Sequence, residues 1–290
     1  MKFSVVIPNW NGRKLLEKNL PAVLAANPDE VLVVDDASPD NSNEFLSKKY
    51  PSIKIVKHNR NLGFSAACNS GVKQARGEII VLLNVDVVPE KSFLKPLISN
   101  FSNPKIFAVS LNEENWSWAR LIWKNGFVEH CSGDRTKSTH YSAWASGGSG
   151  AFRKPLWEDL GGLNEIFRPF YWEDVDLGYR AWKQGYEILW EPSSIVHHQH
   201  EAVIGSHFSK NYINMISERN RLLFIWKNIT DDDLMREHII NLGRKLVSQP
   251  KFCYPFLKAL TKIGQVSKSH KNDRVFNKLT DEEIFQKFCV

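Results

Sequence analysis

Acidic and amide side chains follow three apolar runs in the first third of the chain. The run at residues 3–8 leads into Asn9-Trp10-Asn11, the run at 31–34 into Asp35 and Asp36, and the run at 79–83 into Asn84-Val85-Asp86. Each group alone is ordinary turn chemistry, because Asn and Asp favour turns for local reasons. Three such groups at strand ends favour a ligand site, since ligands bind outside the carboxyl ends of the strands in α/β sheets.

The carboxylates in these groups suit a nucleotide diphosphate held through a metal ion. Asp86 directly follows a buried run, where a carboxylate is costly unless a cation pairs with it. A hard oxygen ligand of this kind suits Mg²⁺ or Mn²⁺. Asp35 or Asp36 could accept hydrogen bonds from a nucleobase or ribose, which is a recognition role.

A second group of acids, Glu173, Asp174 and Asp176, begins a predicted helix. Acids at a helix N-terminus gain from its dipole, which is a sufficient structural reason for Glu173 and Asp174. Asp176 and Arg180 are spaced i, i+4, which predicts an ion pair on the helix surface. The aromatic residues just before the helix, which end in Trp172, give at least one carboxylate an apolar setting. Such a setting raises the pKa of a carboxyl group and makes it a competent base.

Three histidines lie within residues 197–200, after a predicted strand. Histidine is a common metal ligand, but three so close in sequence cannot all bind one ion. We expect His198 to be the ligand and give His197 and His200 structural roles.

The elements that position these residues alternate between strand and helix. We predict strands at residues 3–8, 31–34, 53–57 and 78–84, with helices at 13–26, 38–49 and 63–75, a pattern typical of a parallel sheet. Beyond residues 101–141, which show no clear pattern, we predict a short strand at 151–153, a helix at 172–184 and a strand at 187–190. Helices predominate after residue 200. The division is therefore a domain at residues 1–205 and a helical extension at 206–290.

Composition is that of a globular protein, with 42% hydrophobic and 24% charged residues among 290. The four cysteines form no CxxC pair, which favours a reducing cytoplasm. The N-terminus does not resemble a signal peptide, and no apolar run approaches the roughly 18 residues that span a bilayer. Residues 241–290 carry ten cations and four anions, which accounts for the whole net charge of +6. This tail is either a solvated helical surface or a docking surface for anionic lipid; nucleic acid is not expected, because no recognised motif accompanies the charge.

Six segments in order resemble the family 2 glycosyltransferases, whose catalytic domain has the GT-A fold. They are SVVIPNWNG, VLVVDDASPDNS, NRNLGFSAACNSGVKQARGEIIVLLNVDV, ASGGSGAFRK, GGLNEIFRPFYWEDVDLGYRAWKQGY and the histidine cluster. The bacterial rhamnosyltransferase-like branch is the most similar in appearance, because it carries a helical tail like SERNRLLFIWKN. The resemblance implies an α/β fold with a mostly parallel sheet flanked by helices, followed by a C-terminal helical extension.

The same resemblance implies a role for individual residues. Asp174 is the expected general base, paired with Glu173. Asp86, with Asn84 and His198, is expected to bind Mg²⁺ or Mn²⁺; Asn84 departs from the fullest motif, which has Asp at both ends, and this weakens the expected metal affinity. The expected nucleotide-binding residues are Pro8, Asn9, Asn11, Asp35, Asp36, Asn61, Gly63 and Asn69. Gly147, Gly148 and Trp172 are expected to contact donor or acceptor.

The implied reaction is inverting transfer of a hexosyl or deoxyhexosyl group from a nucleotide-diphospho-sugar to a hydroxyl of a glycan or lipid-linked acceptor. The expected setting is assembly of cell-surface polysaccharide or glycolipid by a cytoplasmic protein, with peripheral contact between the basic tail and the inner face of the membrane. Two alternatives remain open. One is a nucleotidyltransferase acting on sugar phosphates, against which the missing Gly-rich activation loop counts. The other is a non-catalytic carbohydrate-binding relative, which Asn84 alone favours.

Overall fold

The structure is a computed structural model that describes residues 1–114, 116–198, 205, 208–273 and 277–288, with the side chains of all but 269–273. Its strands are β1 (Phe3–Asn9), β2 (Glu30–Asp35), β3 (Lys54–Lys57), β4 (Ile79–Leu83), β5 (Val87–Pro89), β6 (Ile106–Glu113), β7 (Ala119–Lys124), β8 (Phe127–Ser132), β9 (His140–Tyr141), β10 (Ser149–Arg153) and β11 (Glu187–His198). Its helices are α1 (Arg13–Ala25), α2 (Ser42–Lys49), α3 (Phe64–Gln74), α4 (Lys95–Asn100), α5 (Lys154–Asp159), α6 (Glu173–Lys183), α7 (Lys210–Asn228), α8 (Asp232–Ser248), α9 (Cys253–Leu260), α10 (Ile263–Asp273) and α11 (Asp281–Gln286).

A central sheet orders its strands β3-β2-β1-β4-β10-β6-β11-β5, with β9 paired to β11. The first four strands are parallel, as the alternation of strands and helices predicted. Beyond β4 the sheet is mixed, because β10 runs antiparallel to both β4 and β6. Strand β11 is also longer than the predicted strand at 187–190, since it continues as far as His198. A separate hairpin, β7–β8, covers part of the segment that the sequence left unassigned.

Alternate side chains of the central strands pack into different hydrophobic cores. Val6 lies in one core with residues of α3, whereas Val5 and Ile7 lie in the other with residues of α1. This follows from the two-residue period of a strand, which turns successive side chains to opposite faces of the sheet. Every residue of β4 is buried, which explains its uninterrupted apolar sequence.

The C-terminal helices complete one of these cores. Leu222, Leu223 and Phe224 of α7 are fully buried in the same cluster as Tyr179 and Trp182 of α6. The extension is thus packed against the helix that begins with the predicted catalytic acids. The division at residues 205 and 206 remains a prediction.

The predicted ion pair between Asp176 and Arg180 forms, with Nε 2.8 Å from Oδ2, but it is buried rather than on the helix surface. It is buried because α7 covers this face of α6. Lys227 Nζ lies 2.9 Å from Asp176 Oδ1, and Asn228 donates to the same oxygen at 2.8 Å. The carboxylate is therefore paired on both oxygens, which offsets the cost of burying it.

Among the described residues, every helix is too short or too polar to span a lipid bilayer.

Candidate active site

A cleft of about 600 Å³ opens at the carboxyl edge of the sheet. It is lined by Asp36 after β2, Asp86 after β4 and Asp174 in the first turn of α6. The parallel register aligns Asn9, at the end of β1, with Asp35, so the ends of these strands meet at one edge. Three acids far apart in sequence thus line one cavity.

Asp36 fixes the loop at Leu62 and Gly63, on the side of the cleft where nucleotide binding is expected. Its Oδ1 accepts hydrogen bonds from the backbone N–H of Leu62 at 2.8 Å and lies 2.6 Å from His58 Nδ1. Its Oδ2 accepts from the N–H of Gly63 at 2.7 Å. The carboxylate lines the cleft, but much of its hydrogen-bonding capacity is used within the protein.

Five of the eight expected nucleotide-binding residues line the cleft: Pro8, Asn9, Asp36, Asn61 and Gly63. Asp35, Asn11 and Asn69 do not.

Asp35 and Asn69 have local partners instead. Asp35 accepts hydrogen bonds from the side-chain amides of Asn9 and Asn43, at 3.0 and 2.7 Å. The Asn69 side chain bonds both backbone polar groups of Leu163. These contacts show structural roles for Asp35 and Asn69.

Another part of the lining of the cleft consists of Asp86, Glu113 and His198. His198 Nε2 lies 3.3 Å from Asp86 Oδ1, at ion-pair distance without hydrogen-bond geometry, and His198 Nδ1 lies 3.1 Å from Glu113 Oε1. Burial by itself lowers the pKa of His198, but the two carboxylates outweigh it and raise the pKa to about 9. Protonated His198 therefore balances part of the negative charge of this side.

The donor atoms here fit a divalent cation. Asp86 Oδ1 is buried and, apart from the ion pair with His198, has no hydrogen-bond partner among the described residues, so a bound cation would find an oxygen ligand there. Carboxylate, amide and imidazole ligands suit Mn²⁺. The described residues hold no group of three or more His, Cys, Asp or Glu that is arranged to enclose a metal ion by itself. A cation at Asp86 would therefore take further oxygen ligands from a bound molecule, as Mg²⁺ does at phosphates.

Asn84 lies at the same end of β4 and is packed against the small-residue loop. Its backbone N–H donates to the carbonyl of Gly148 at 2.8 Å. A Cβ on Gly148 would lie 2.4 Å from Asn84 Nδ2, so a larger residue there would displace the Asn84 side chain. Gly147 and Gly148 both line the cleft, as expected for a loop that lets ligand and backbone come close.

Glu173 and Asp174 line the cleft together but have different surroundings. Burial and the neighbouring Asp174 raise the pKa of Glu173 well above its ordinary value, and its Oε2 has no hydrogen-bond partner among the described residues. Burial also raises the pKa of Asp174, but hydrogen bonds from the backbone N–H groups of Gly147 and Val175 oppose the rise. Asp174 is therefore the more easily ionised of the two acids.

Trp172 does not line the cleft. Its ring is 4% exposed and packs in the core, 5.3 Å from the ring of Phe224. Both Tyr171 and Trp172 have positive φ, a backbone conformation uncommon in bulky residues. The preceding Tyr171 takes the exposed position at the cleft instead.

His197 lies away from the cleft, with Nδ1 3.1 Å from Glu114 Oε1, and His200 lies outside the described residues.

Sequence reasoning missed several residues that line the cleft. Glu113 ends β6 after an apolar run, so the rule that found Asp86 would have found it had this region been assigned to a strand. His130, on β8, lies 5.4 Å from the ring of Trp172, and burial lowers its pKa. Aromatic residues Trp116, Trp144 and Phe170 also line the cleft, and no sequence signal separates them from core aromatics.

The architecture is that of the GT-A glycosyltransferases. The structure aligns with GalNAc-T7 in complex with UDP, GalNAc and Mn²⁺ at a TM-score of 0.63, with 16% identity over 86% of this chain and 58% of that chain. It aligns with Staphylococcus aureus TarS in complex with UDP-GlcNAc at a TM-score of 0.59, with 16% identity over 99% of this chain and 89% of that chain. The mannosyltransferase PcManGT from Pyrobaculum calidifontis, in complex with GDP-Man and Mn²⁺, aligns at a TM-score of 0.58, with 15% identity over 94% of this chain and 84% of that chain.

The chain belongs to glycosyl transferase family 2, whose sequence profile matches residues 4–159, just over half of its length. A dolichol-phosphate mannosyltransferase from Pyrococcus furiosus is 31% identical over 140 residues, which is 44% of this chain and 40% of that protein. A poly-beta-1,6-N-acetyl-D-glucosamine synthase from Staphylococcus epidermidis is 27% identical over 208 residues, which is 66% of this chain and 48% of that protein. The chain thus spans less than half the length of these curated relatives.

Proposed function

We propose that this protein is an inverting glycosyltransferase that moves a sugar from a nucleotide-diphospho-sugar to an acceptor hydroxyl. The observation that carries the proposal is that Asp86 and Asp174 line the same cleft, because one acid serves the diphosphate and the other the incoming hydroxyl. Family membership supports the reaction class.

The nucleotide binds against the ends of β1 and β2, beside Asp36 and the loop that Asp36 holds. Hydrogen bonds fix the backbone there before the donor binds, so binding costs little conformational entropy. The structures aligned above hold UDP, UDP-GlcNAc and GDP-Man, which supports a nucleotide-sugar donor without choosing among the nucleotides.

Asp86, Asn84 and His198 would hold Mg²⁺ or Mn²⁺ against the donor diphosphate. When bound, the cation offsets negative charge on the leaving nucleoside diphosphate. His198 would have to lose its proton to act as a ligand, which would couple metal binding to proton release.

Asp174 is the general base, and the raised pKa of the buried Glu173 disfavours a second negative charge beside it. Two carboxyl groups whose surroundings separate their pKa values take separate roles. Asp174 accepts the proton of the acceptor hydroxyl as its oxygen attacks the anomeric carbon and the bond to the diphosphate breaks. A single displacement inverts the anomeric centre, and no covalent sugar–enzyme bond forms.

The proposed setting is assembly of a polysaccharide or glycolipid, with a hexosyl or deoxyhexosyl donor, as in the rhamnosyltransferase-like branch. The synthase relative supports polysaccharide assembly as the setting.

The test is a panel of UDP-, GDP- and dTDP-sugars incubated with Mn²⁺ and simple glycoside acceptors. We expect one donor to release nucleoside diphosphate, and NMR of the product to show the anomeric configuration opposite to that of the donor. Retention of configuration would refute the single displacement. Release of pyrophosphate from a nucleoside triphosphate and a sugar phosphate would assign the protein to the nucleotidyltransferases instead.

A further inference from the structure

Large apolar side chains are exposed at high density on the C-terminal helices. Within residues 239–263 the structure exposes Ile239, Ile240, Val247, Tyr254, Leu257, Leu260 and Ile263. Val247 is 84% exposed and Leu257 57%. Seven exposed large apolar side chains within 25 residues of the chain indicate an interaction surface.

Six of these seven side chains belong to α8 and α9, and Ile263 begins α10. On α8, Ile240, Arg244 and Val247 are spaced i, i+4, i+7 and so share one face. The opposite face packs inward, with His238 buried and Leu242 against the core.

The same arrangement holds on α9. Tyr254, Leu257 and Lys258 share its outward face, while Pro255 and Ala259 are buried. Both helices contact the short 3₁₀ helix Pro250–Phe252 that joins them. We call Ile240, Arg244, Val247, Tyr254, Leu257 and Lys258 the apolar–basic face.

The charge around this face has one sign. Residues 238–272 contain seven Lys or Arg and no Asp or Glu. Arg244, Lys251 and Lys258 are exposed among the apolar side chains. Long basic side chains can keep their charged ends at lipid headgroups while their stems and the apolar neighbours enter the boundary region.

We propose that the apolar–basic face docks on the surface of an anionic phospholipid bilayer. A second copy of this chain would bring cations against cations, with no acid in residues 238–272 to offset them. A bilayer of anionic lipid offers both the apolar layer and the negative charge. This inference is independent of the proposed sugar transfer.

The test is flotation of the full chain with vesicles. The lipid is phosphatidylcholine alone or with about 30% phosphatidylglycerol, and salt rises from about 0.1 to about 0.5 M. We expect binding to the anionic vesicles to exceed binding to neutral ones by at least about tenfold and to fall with salt. The double variant Val247→Asp/Leu257→Asp should bind at least about tenfold more weakly, because it removes apolar contact and adds negative charge.

Two matched variants control for surface changes elsewhere. Ile98→Asp changes a 53% exposed apolar residue of α4, and Lys91→Gln/Lys95→Gln removes two exposed cations from the same region. Both should bind as the wild type does, whereas Arg244→Gln/Lys258→Gln should bind more weakly.

The proposal is overturned if the wild type does not bind anionic vesicles, or if the control variants lose as much binding as the variants of the apolar–basic face. A different outcome is that the wild type does not bind vesicles and sediments as a dimer, whereas Val247→Asp/Leu257→Asp sediments as a monomer. That outcome would show that the apolar–basic face is an interface between two copies of this chain. Donor hydrolysis by these variants, compared with that of the wild type, separates failure of docking from failure of the proposed transfer.

Discussion

The side-chain amide of Asn220, in α7, donates to the backbone carbonyl of Tyr171 at 2.9 Å. The same amide contacts the carbonyl oxygens of Phe170 and Phe167, at 2.9 and 2.6 Å. Asn220 is fully buried, and the loop it holds contains two residues of positive φ immediately before Glu173. A helix of the C-terminal part thus holds the loop that leads into α6.

Asn220→Ala should lower the turnover number by about tenfold or more while donor affinity changes little. The variant leaves buried carbonyls without their donor, at about 1–3 kcal/mol, and lets the loop before Asp174 shift. Steady-state kinetics with separate titration of the donor measures both quantities. Asn100→Ala, which removes a 3.0 Å hydrogen bond to Glu191, is the control for a general loss of stability. Equal kinetic losses in both variants would refute the positioning role.

Glu173→Gln should become more stable relative to the wild type as pH rises. Burial raises the pKa of Glu173, so the folded state holds a proton that the unfolded state loses above pH 4.5. The stability of the wild type therefore falls between pH 4.5 and the raised pKa, by up to about 1.4 kcal/mol for each pH unit. Urea unfolding measures the free energy of unfolding from pH 5 to pH 8. We expect the value for the variant minus the value for the wild type to increase with pH. Glu158→Gln, at an exposed carboxyl, should show no such gain. Parallel curves for Glu173→Gln and the wild type would contradict the assignment.

Asn84→Asp should tighten metal binding. The substitution adds a second carboxylate beside Asp86, and ligand charge raises the affinity of oxygen sites for divalent cations. We expect the Mn²⁺ concentration for half-maximal binding, measured by calorimetry, to fall by about tenfold. Asn61→Asp adds the same charge to the nucleotide side of the cleft and should leave that midpoint nearly unchanged. An unchanged midpoint for Asn84→Asp would place the cation elsewhere.

Asp36→Asn should weaken nucleotide binding through the loop. An amide offers one acceptor oxygen where the carboxylate serves two backbone N–H groups and the ring of His58, so at least one donor loses its partner. The expected loss of stability is about 1–3 kcal/mol, with a higher donor KM. Asp29→Asn alters an acceptor for the backbone N–H of Phe3 at the other end of β1 and should leave the donor KM unchanged. If the donor KM of Asp36→Asn equals that of the wild type, Asp36 has no role in nucleotide binding.

The first half of the fold was predictable because local patterns specify it. Strand β4 is an apolar run between polar residues, and the alternation with helices predicts the parallel order. The position of Asp86 at a strand end followed from the same pattern, and so did the shared edge with Asp36. Strand β6 begins with the apolar run IFAV and could have been predicted by the same rule, whereas β7 to β9 were not predictable, since short strands with mixed burial have no clear period.

The differences at the cleft come from tertiary packing. Asp35 ends β2 and Asp36 directly follows it, but side chains alternate in direction along an extended chain, and of the two only Asp36 lines the cleft. Trp172 is buried because Phe224 of α7 packs against it, a contact between elements some fifty residues apart. Asn220 gave no signal of its own, since its partners are backbone carbonyls that only the folded loop brings together.

The variant Asp174→Asn most directly tests the central claim that Asp174 and the diphosphate site act in one cleft. We expect its turnover number to fall by about two to four orders of magnitude, the usual range for a lost general base. Its donor affinity, measured by calorimetry with Mn²⁺, should stay close to that of the wild type, whereas Asp86→Asn should lose donor affinity. Full turnover in Asp174→Asn, or donor affinity lost as completely as in Asp86→Asn, would contradict the account.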